Sequence, residues 1–283
     1  MNLYKPRVKA PQPDVLQQMQ TILQKHALTT VCEAAACPNR AECYERGSAT
    51  LMILGNTCTR KCAFCNVKTG AGEVVDKNEP QRVAHAVAEM ALEYVVITSV
   101  DRDDLRDYGA GHFKRCVEAI KSVHPHIKIE LLTPDFKYAK PSLEMIIDTE
   151  VYKLAHNQET VRSLSRKIRP QSDYDRSLRV LEYYAKHSNA IVKSSLMVGL
   201  GECEKELFQT MQDLLNVGVS ELTLGQYLQP TQHHHQVVTY YPQEFFDAMQ
   251  EEAYAMGFKA VASGALVRSS YFAETLGDNY AKS

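Results

Sequence analysis

Apolar positions along the chain follow two alternating rhythms. From Ala49 onward, short runs of aliphatic and β-branched residues end in polar residues, and a stretch with helical spacing follows each. The runs Ala49–Leu54, Tyr94–Val100, Ile127–Leu132, Val151–Ala155, Ile191–Val198 and Glu221–Tyr227 read as strands. Helices are expected near Pro80–Leu92, His112–Val123, Pro141–Thr149, Gln158–Ile168, Asp173–Lys186 and Glu204–Val217. Upstream, residues 1–12 are polar and Pro-containing and are expected to be an extended arm, and Pro13–His26 places Val15, Met19, Ile22 and Leu23 on one helical face. Glu33–Arg46 reads as a helix or helical turns, punctuated by Pro38 and Gly47. Downstream, Pro242–Met256 reads as a helix and Phe258–Ser263 as a short extra strand.

Six β-α repeats imply a parallel sheet wound right-handed into a barrel or part of one. A full eight-fold barrel takes about 250 residues, and only roughly 190 lie between Ala49 and Thr239. The expected fold is therefore α/β, a partial (β/α)6 barrel of TIM type with additions at both ends. No Gly/Ser linker interrupts it, so 1–48, 49–240 and 241–283 are expected to be an N-terminal extension, a barrel and a C-terminal extension of one structural unit. In such folds chemistry sits on loops at the C-terminal ends of strands. The strands here end in polar runs: TSVDRDDL (98–105), LTPDF (132–136), HNQET (156–160), GLGE (199–202) and GQYLQPT (225–231).

Composition narrows the class. The chain has 283 residues, 45% hydrophobic and 23% charged, which is ordinary for a globular protein. A net charge of −2 gives no basic field for nucleic acid. The N-terminus lacks an apolar signal core and the Arg- and Ser-rich pattern of a presequence. Its most apolar window, His85–Val100, carries Glu89 and Glu93, so no membrane span is expected. A cytoplasmic setting follows, in which clustered cysteines act as metal ligands or redox groups rather than disulfides.

Six of the eight cysteines fall in two triplets: Cys32, Cys37 and Cys43, spaced C-x4-C-x5-C, and Cys58, Cys62 and Cys65, spaced C-x3-C-x2-C. Each triplet is read as the holder of one iron–sulfur cluster. The second suits three corners of a 4Fe–4S cube with one iron left open, as an open position is kept at other catalytic metals. Arg60 and Lys61 would offset cluster charge, and Phe64 would shield it. Zinc is the alternative, but zinc favours four ligands in paired C-x2-C runs, and only one such pair is present.

With an aromatic before its third cysteine, CTRKCAFC resembles the signature of the radical S-adenosylmethionine enzymes. The resemblance implies a partial (β/α)6 barrel with this loop after the first strand. It also implies S-adenosylmethionine bound through its methionyl amine and carboxylate to the open iron. One electron then cleaves the sulfonium, giving a 5′-deoxyadenosyl radical that abstracts hydrogen. With the first triplet, CPNRAEC, SATLMILG, TSVDRDDL, TPDF, HNQET, MVGLGE, GQYLQPT and RSSY, the chain resembles the lipoyl synthase family from about Leu28 to Thr275.

That resemblance implies two 4Fe–4S clusters. Cys58, Cys62 and Cys65 would hold the radical-generating one. Cys32, Cys37 and Cys43 would hold an auxiliary cluster whose fourth ligand is Ser270 of RSSY, with Arg268 stabilising its alkoxide. A hard alkoxide is more easily displaced than a thiolate, which suits a cluster that is dismantled. The alternative for Ser269 or Ser270 is the cap of a short helix through Glu274. The implied reaction places two sulfurs on carbons 6 and 8 of an octanoyl chain amide-linked to a carrier lysine, the auxiliary cluster being the sulfur donor. Catalysis would then rest on Cys58, Cys62, Cys65 and Ser270. Implied partners are octanoylated carrier domains (2-oxoacid dehydrogenase E2 subunits and glycine cleavage H protein), a reducing electron donor and an iron–sulfur carrier that rebuilds the cluster.

By the same analogy Ser99 and Asp101 touch the cofactor, although Asp is also favourable at a helix N-terminus. Asn157, Lys193 and Gln226 join them as cofactor contacts, and Glu159, Ser195 and Gln229 as further pocket candidates. His233, His234 and His235 read as a polar loop, since three consecutive side chains do not face one metal. Cys116 reads as a small buried hydrophobe, and Cys203 is given no role. Leu154 and Ala155 stand where the family pattern has Phe and Asn, Asn66 where it has Asp, and Ala265 where it has Pro. Trp is absent. The competing classes are other radical sulfur-inserting enzymes, such as a methylthiotransferase or a biotin-synthase-like enzyme, and a non-catalytic electron carrier. A methylthiotransferase would carry a further RNA- or protein-binding domain, and an electron carrier would need neither the barrel nor RSSY.

Overall fold

Parallel strands buried on both faces carry the fold. The computed structural model describes residues 13–34, 37, 39–45, 49–271, 273, 274 and 276. The arm expected over 1–12 lies outside them, as does the side chain of Val15. The described residues divide into two compact units, 13–60 with 67–154, and 61–66 with 155–276.

In the first unit, helix α1 (Pro13–Lys25) precedes a short strand β1 (Thr29–Thr30), and two short helices follow, α2 (Val31–Ala34) and α3 (Arg40–Glu45). Strand β2 (Thr50–Ile53) comes next, then the ribbon of β3 (Thr57–Cys58) and β4 (Lys68–Thr69), helix α4 (Glu79–Glu89), β5 (Tyr94–Ser99), α5 (Ala110–Val123) and β6 (Lys128–Leu132). A 3-10 turn (Phe136–Tyr138) and α6 (Lys140–Ile147) lead to β7 (Lys153–Ala155). β2 pairs parallel with β5 from Thr50↔Val96 to Ile53↔Ser99, and β5 with β6 from Tyr94↔Lys128 to Thr98↔Leu132. β1 closes the free side of β2 antiparallel, pairing Thr29 with Met52.

Leu51, Ile53, Val95, Val96, Ile97, Ile129 and Leu131 are all buried. Consecutive buried residues need cover on both faces, which explains runs without alternation. α5 supplies cover with Phe113, Cys116, Val117 and Ile120, a helical-period stripe with no exposed surface. Cys116 is thus the packing residue expected, and burial pushes its thiol pKa up. On α1, Met19, Ile22 and Leu23 are buried, as the periodicity predicted.

The second unit holds α7 (Arg162–Ile168), α8 (Tyr174–His187), β8 (Ile191–Val198), α9 (Glu204–Asn216), β9 (Glu221–Gln226), α10 (Gln243–Met256) and β10 (Ala260–Gly264). β8, β9 and β10 are parallel, with Lys193 opposite Glu221 and Gly225 opposite Gly264. α8 starts where the Asp173 carboxylate accepts from Arg176 N at 2.7 Å. Cys203 occupies the N-cap of α9, and its N–H donates to Glu206 Oε2 at 3.1 Å.

One expected helix starts late. Residues 158–161 do not belong to α7, because Glu159 (φ 67°) forms a parallel bridge with Leu196. Its N–H donates to Ser195 O at 2.9 Å, and its carbonyl accepts from Met197 N at 2.8 Å. Sheet hydrogen bonding therefore overrides local helical preference there. Among the described residues no helix is long and apolar enough to cross a membrane.

Candidate functional site

Short helices bring the first cysteine triplet together. Cys32 lies on α2 and Cys43 on α3, and Cys37 N donates to Cys32 O at 2.9 Å. Thr30 braces this region: its hydroxyl accepts from Glu33 N and pairs with Tyr44 Oη at 2.8 Å. The Cys32 thiol hydrogen-bonds with Cys37 and lies in the electrostatic field of both Cys37 and Cys43. Those contacts, the Cys37 hydrogen bond first and then burial, push its pKa far up. Three thiolates here would repel one another, so losing their protons requires a cation between them. All three are free thiols. A 4Fe–4S cube takes each thiolate on its own iron, and three free thiols within hydrogen-bonding and electrostatic reach of one another suit that.

The second triplet starts at the end of β3. Arg60 N donates to Cys58 Sγ at 3.4 Å, and Cys58 Sγ lies 3.8 Å from Asp101 Oδ2. Thr59 knits this point to the loop after β5, donating through its N–H and its hydroxyl to Asp101 O at 3.0 and 2.9 Å. Arg60 was expected to offset cluster charge. It is instead buried against Asp101 (3.2 Å), Asp103 (2.7 Å) and Asp135 (2.6 Å), so its charge is more than neutralised. Its role is mechanical: one guanidinium fork ties the cysteine loop to the loops after β5 and β6.

Cys62 and Cys65 belong to the second unit, in a turn closed by Cys65 N donating to Cys62 O at 3.2 Å. Phe64 packs against the cluster of Ile168, Leu200 and Tyr227 and so anchors the loop through apolar contact. Ala63 N donates to Ile168 O at 2.8 Å, and Ala63 O accepts from His235 N at 2.9 Å. The histidine run, read as a plain polar loop, therefore lies against the cysteine loop. His234 Nε2 stands 3.0 Å from Cys65 O.

The expected cofactor contacts separate into two groups. Ser99 ends β5, and its buried hydroxyl has no hydrogen-bond partner among the described residues. Asn157, past β7, donates to Glu159 Oε1 at 3.1 Å and keeps its own Oδ1 unpartnered. Buried polar atoms left this way are unusual and mark places where a bound group would complete the bonding. Asp101 keeps part of its surface exposed beside Arg60.

Lys193 and Gln226 stand in other surroundings. Lys193 is buried opposite Glu221, at the N-terminal end of β8. It stands roughly 16 Å along the strand from Val198, where the loops carrying chemistry begin. Gln226 ends β9, but its Nε2 faces the carbonyls of Val198, Tyr227 and Thr239, and its Oε1 accepts from Tyr241 N at 3.0 Å. Its amide is used up in fastening residues 239–241 to the strand. Gln229 similarly spends Nε2 on His234 O at 3.0 Å. Ser195 is buried opposite Thr223 in the sheet.

Ser270 lies half-buried in a turn closed by Tyr271 N donating to Arg268 O at 3.0 Å, so neither serine caps a helix among the described residues. Arg268 Nη1 donates to Val267 O at 2.6 Å. Gly225 seats this segment: a Cβ there would stand 2.0 Å from Val267 O. Gly225 was not singled out from sequence, although a glycine at a parallel strand's end signals close backbone approach.

Residues 52–214 match the Radical SAM superfamily. The chain is 47% identical over 271 residues to the lipoyl synthase of Haemophilus influenzae, covering 95% of this chain and 85% of that one. It is 49% identical to the lipoyl synthase of Salmonella arizonae, with 95% and 84% covered. The chain belongs to the lipoyl synthase family. Solved structures agree on the fold of this lipoyl synthase family member. Methylornithine synthase matches with a TM-score of 0.58 at 13% identity, over 87% of this chain and 74% of that one. A maturase of the [FeFe]-hydrogenase matches with a TM-score of 0.54, also at 13% identity, over 89% and 68%. As a radical SAM lipoyl synthase family member, the chain takes S-adenosylmethionine and 4Fe–4S clusters as cofactors.

Proposed function

We propose that this chain inserts two sulfur atoms, at carbons 6 and 8, into an octanoyl group amide-linked to a lysine of a lipoyl carrier domain. The observation that carries the reading is the first triplet: three reduced cysteines, drawn together by α2 and α3, in a chain that already has a separate radical SAM triplet. When bound, S-adenosylmethionine and the cluster on Cys58, Cys62 and Cys65 supply a radical able to take hydrogen from an unactivated carbon, and the cluster on Cys32, Cys37 and Cys43 supplies sulfur. Ser270 is assigned as the fourth, displaceable ligand of the latter. In this reading residues 1–48 and 241–283 serve the auxiliary cluster, and 49–240 serve radical generation.

The remaining residues act around these groups. In this reading Ser99 and Asn157 each have an unpartnered oxygen to offer the bound cofactor, and Asp101 has a part-exposed carboxylate. Arg60 and Gln226 hold the loops still. The partners of this reading are the carriers named above, a reducing electron donor and an iron–sulfur carrier that restores the consumed cluster, all in a cytoplasmic setting.

Anaerobic reconstitution tests the proposal. The full chain is expected to take up about eight irons, as two 4Fe–4S clusters. With reductant and S-adenosylmethionine it should convert an octanoyl-lysine peptide to a product with two more sulfurs, and with two fewer hydrogens once that dithiol is oxidised to the cyclic disulfide. Cofactor cleavage with no sulfur ever added to the peptide rejects the assignment.

A further inference from the structure

We propose that His234 is a positioning residue for the loop that carries Cys62 and Cys65. The inference rests on reading that loop as the radical-generating cluster site. The run His233–His235 carries no assigned role, yet its hydrogen bonds converge on the cysteine loop.

The direction of each bond follows from chemistry. Cys65 O can only accept, so His234 Nε2, 3.0 Å away, carries the hydrogen. In the neutral ring Nδ1 is then an acceptor, and Thr231 Oγ1 donates to it at 2.8 Å. Thr231 Oγ1 in turn accepts from His233 N at 3.3 Å. The chain of bonds therefore runs one way, from His233 N–H through the Thr231 hydroxyl and the imidazole to Cys65 O. Gln229 Nε2 fixes His234 from behind, donating to its carbonyl at 3.0 Å.

His235 makes the loop that presents His234 stiff. Its N–H goes to Ala63 O, its Nε2 donates to Leu200 O at 3.0 Å, and its carbonyl accepts from Tyr227 Oη at 2.7 Å. Leu200 and Tyr227 also receive Phe64. The cysteine loop is thus held by an apolar plug at Phe64, two backbone bonds at Ala63, the Gln171 Oε1 acceptor for Lys61 N at 2.5 Å and the His234 bond at Cys65. Of these side-chain bonds, the one from His234 falls on a cysteine itself. The Cys65 carbonyl shares its Cα with the side chain, so fixing that peptide fixes the direction in which Sγ leaves the backbone. His233 is exposed and contributes only its N–H, so its side chain serves as the internal control.

The test is amide hydrogen exchange across residues 61–66 of the metal-free full chain, followed by iron retention after reconstitution. His234→Ala is expected to speed exchange about five- to tenfold, the scale of one lost net hydrogen bond. Iron should then fall from about eight toward four per chain on desalting. His234→Gln restores a donor near the Nε2 position and should return both readouts to within about twofold of the parent, a rescue that tracks the hydrogen bond to Cys65 O. His233→Ala should change neither. If alanine unfolds the chain, His234→Leu fills the ring's volume without a donor and takes its place. Parent-like exchange in the donor-less variant, or a glutamine variant no better than it, overturns the proposal. Both readouts are independent of the octanoyl peptide, so failure to form lipoyl product would reject the functional reading alone.

Discussion

Arg60 Nη2 donates to Asp135 Oδ1 over 2.6 Å, and neither side chain has appreciable exposure. Asp103 and Asp101 complete the guanidinium's shell, and Lys137 Nζ meets Asp103 at 3.0 Å. An arginine one residue from the middle of a cysteine motif is therefore a tie between three loops, and its planar fork is what lets it serve three carboxylates.

Removing that cation leaves Asp135 buried without its counter-charge. Arg60→Met should cost about 3–5 kcal/mol of stability, the usual result of breaking a buried pair from one side. Arg60→Lys should recover only part, since a point charge cannot satisfy the fork. Adding Asp135→Asn to Arg60→Met should win back stability by removing the stranded charge. Thermal unfolding of the cluster-free chain measures all three, and a fully stable Arg60→Met would show that the network is ornamental.

Gly225 governs the tail through backbone alone. Its missing Cβ leaves room for Val267 O, and the pairing of Gly225 with Gly264 keeps side chains off both strand ends there. Gly225→Ala would force the Val267 carbonyl to move by more than an ångström, and Ser270 lies three residues further on. The expected result is a folded chain that still cleaves S-adenosylmethionine but retains about half its iron, read by iron analysis and 5′-deoxyadenosine yield. Parent-like iron content would show that the tail does not serve a cluster.

Much of the fold was legible because parallel strands need apolar residues on both faces. The run predicted over Ile191–Val198 is β8 itself, and Tyr94–Val100 differs from β5 by one residue. The site was legible only where chemistry is written in spacing, as in the cysteine triplets. The position of Lys193 near the start of β8 was not legible, because an apolar run shows a strand without showing which end bears a given side chain's function. Gln226 has the polarity of a ligand contact, but its partners are backbone groups, which carry no sequence signal. The bond from His234 to Cys65 spans 169 positions, and no local pattern reports it. Glu159 shows the reverse: a sequence that suits a helix start is held against the sheet, at a left-handed φ, by Ser195 and Met197, which lie in another strand.

Glu159 also makes the stability depend on pH. Burial pushes its carboxyl above the ordinary glutamate value, against the pull of Arg169 and the Asn157 hydrogen bond. A carboxyl that holds its proton more tightly folded than unfolded favours folding below the unfolded pKa of about 4.3. That advantage is lost as pH rises through the higher folded value. Glu159→Gln keeps an acceptor for Asn157 Nδ2 and removes the charge. The variant should melt higher than the parent at pH 8 and alongside it at pH 4. A variant less stable at pH 8 would mean that the ionised carboxylate is paid for by Arg169.

Ser270 is the residue on which the sulfur-donor reading turns. It sits half-buried in the Arg268–Tyr271 turn, where no helix calls for a cap among the described residues. An oxygen ligand on a cluster otherwise held by thiolates is the bond that yields first when the cluster is opened. Ser270→Ala should leave S-adenosylmethionine cleavage intact and abolish sulfur transfer to the octanoyl peptide. Ser270→Cys supplies a stronger ligand. It should hold the auxiliary cluster at full iron content yet slow product formation by about tenfold or more, since the corner no longer opens readily. The two variants separate ligation from lability: alanine removes both, and cysteine keeps the first while suppressing the second. Single-turnover assays that follow 5′-deoxyadenosine and lipoyl peptide together provide the measurement. Full turnover by the cysteine variant would refute a role for lability, and full turnover by the alanine variant would remove Ser270 from the cluster altogether.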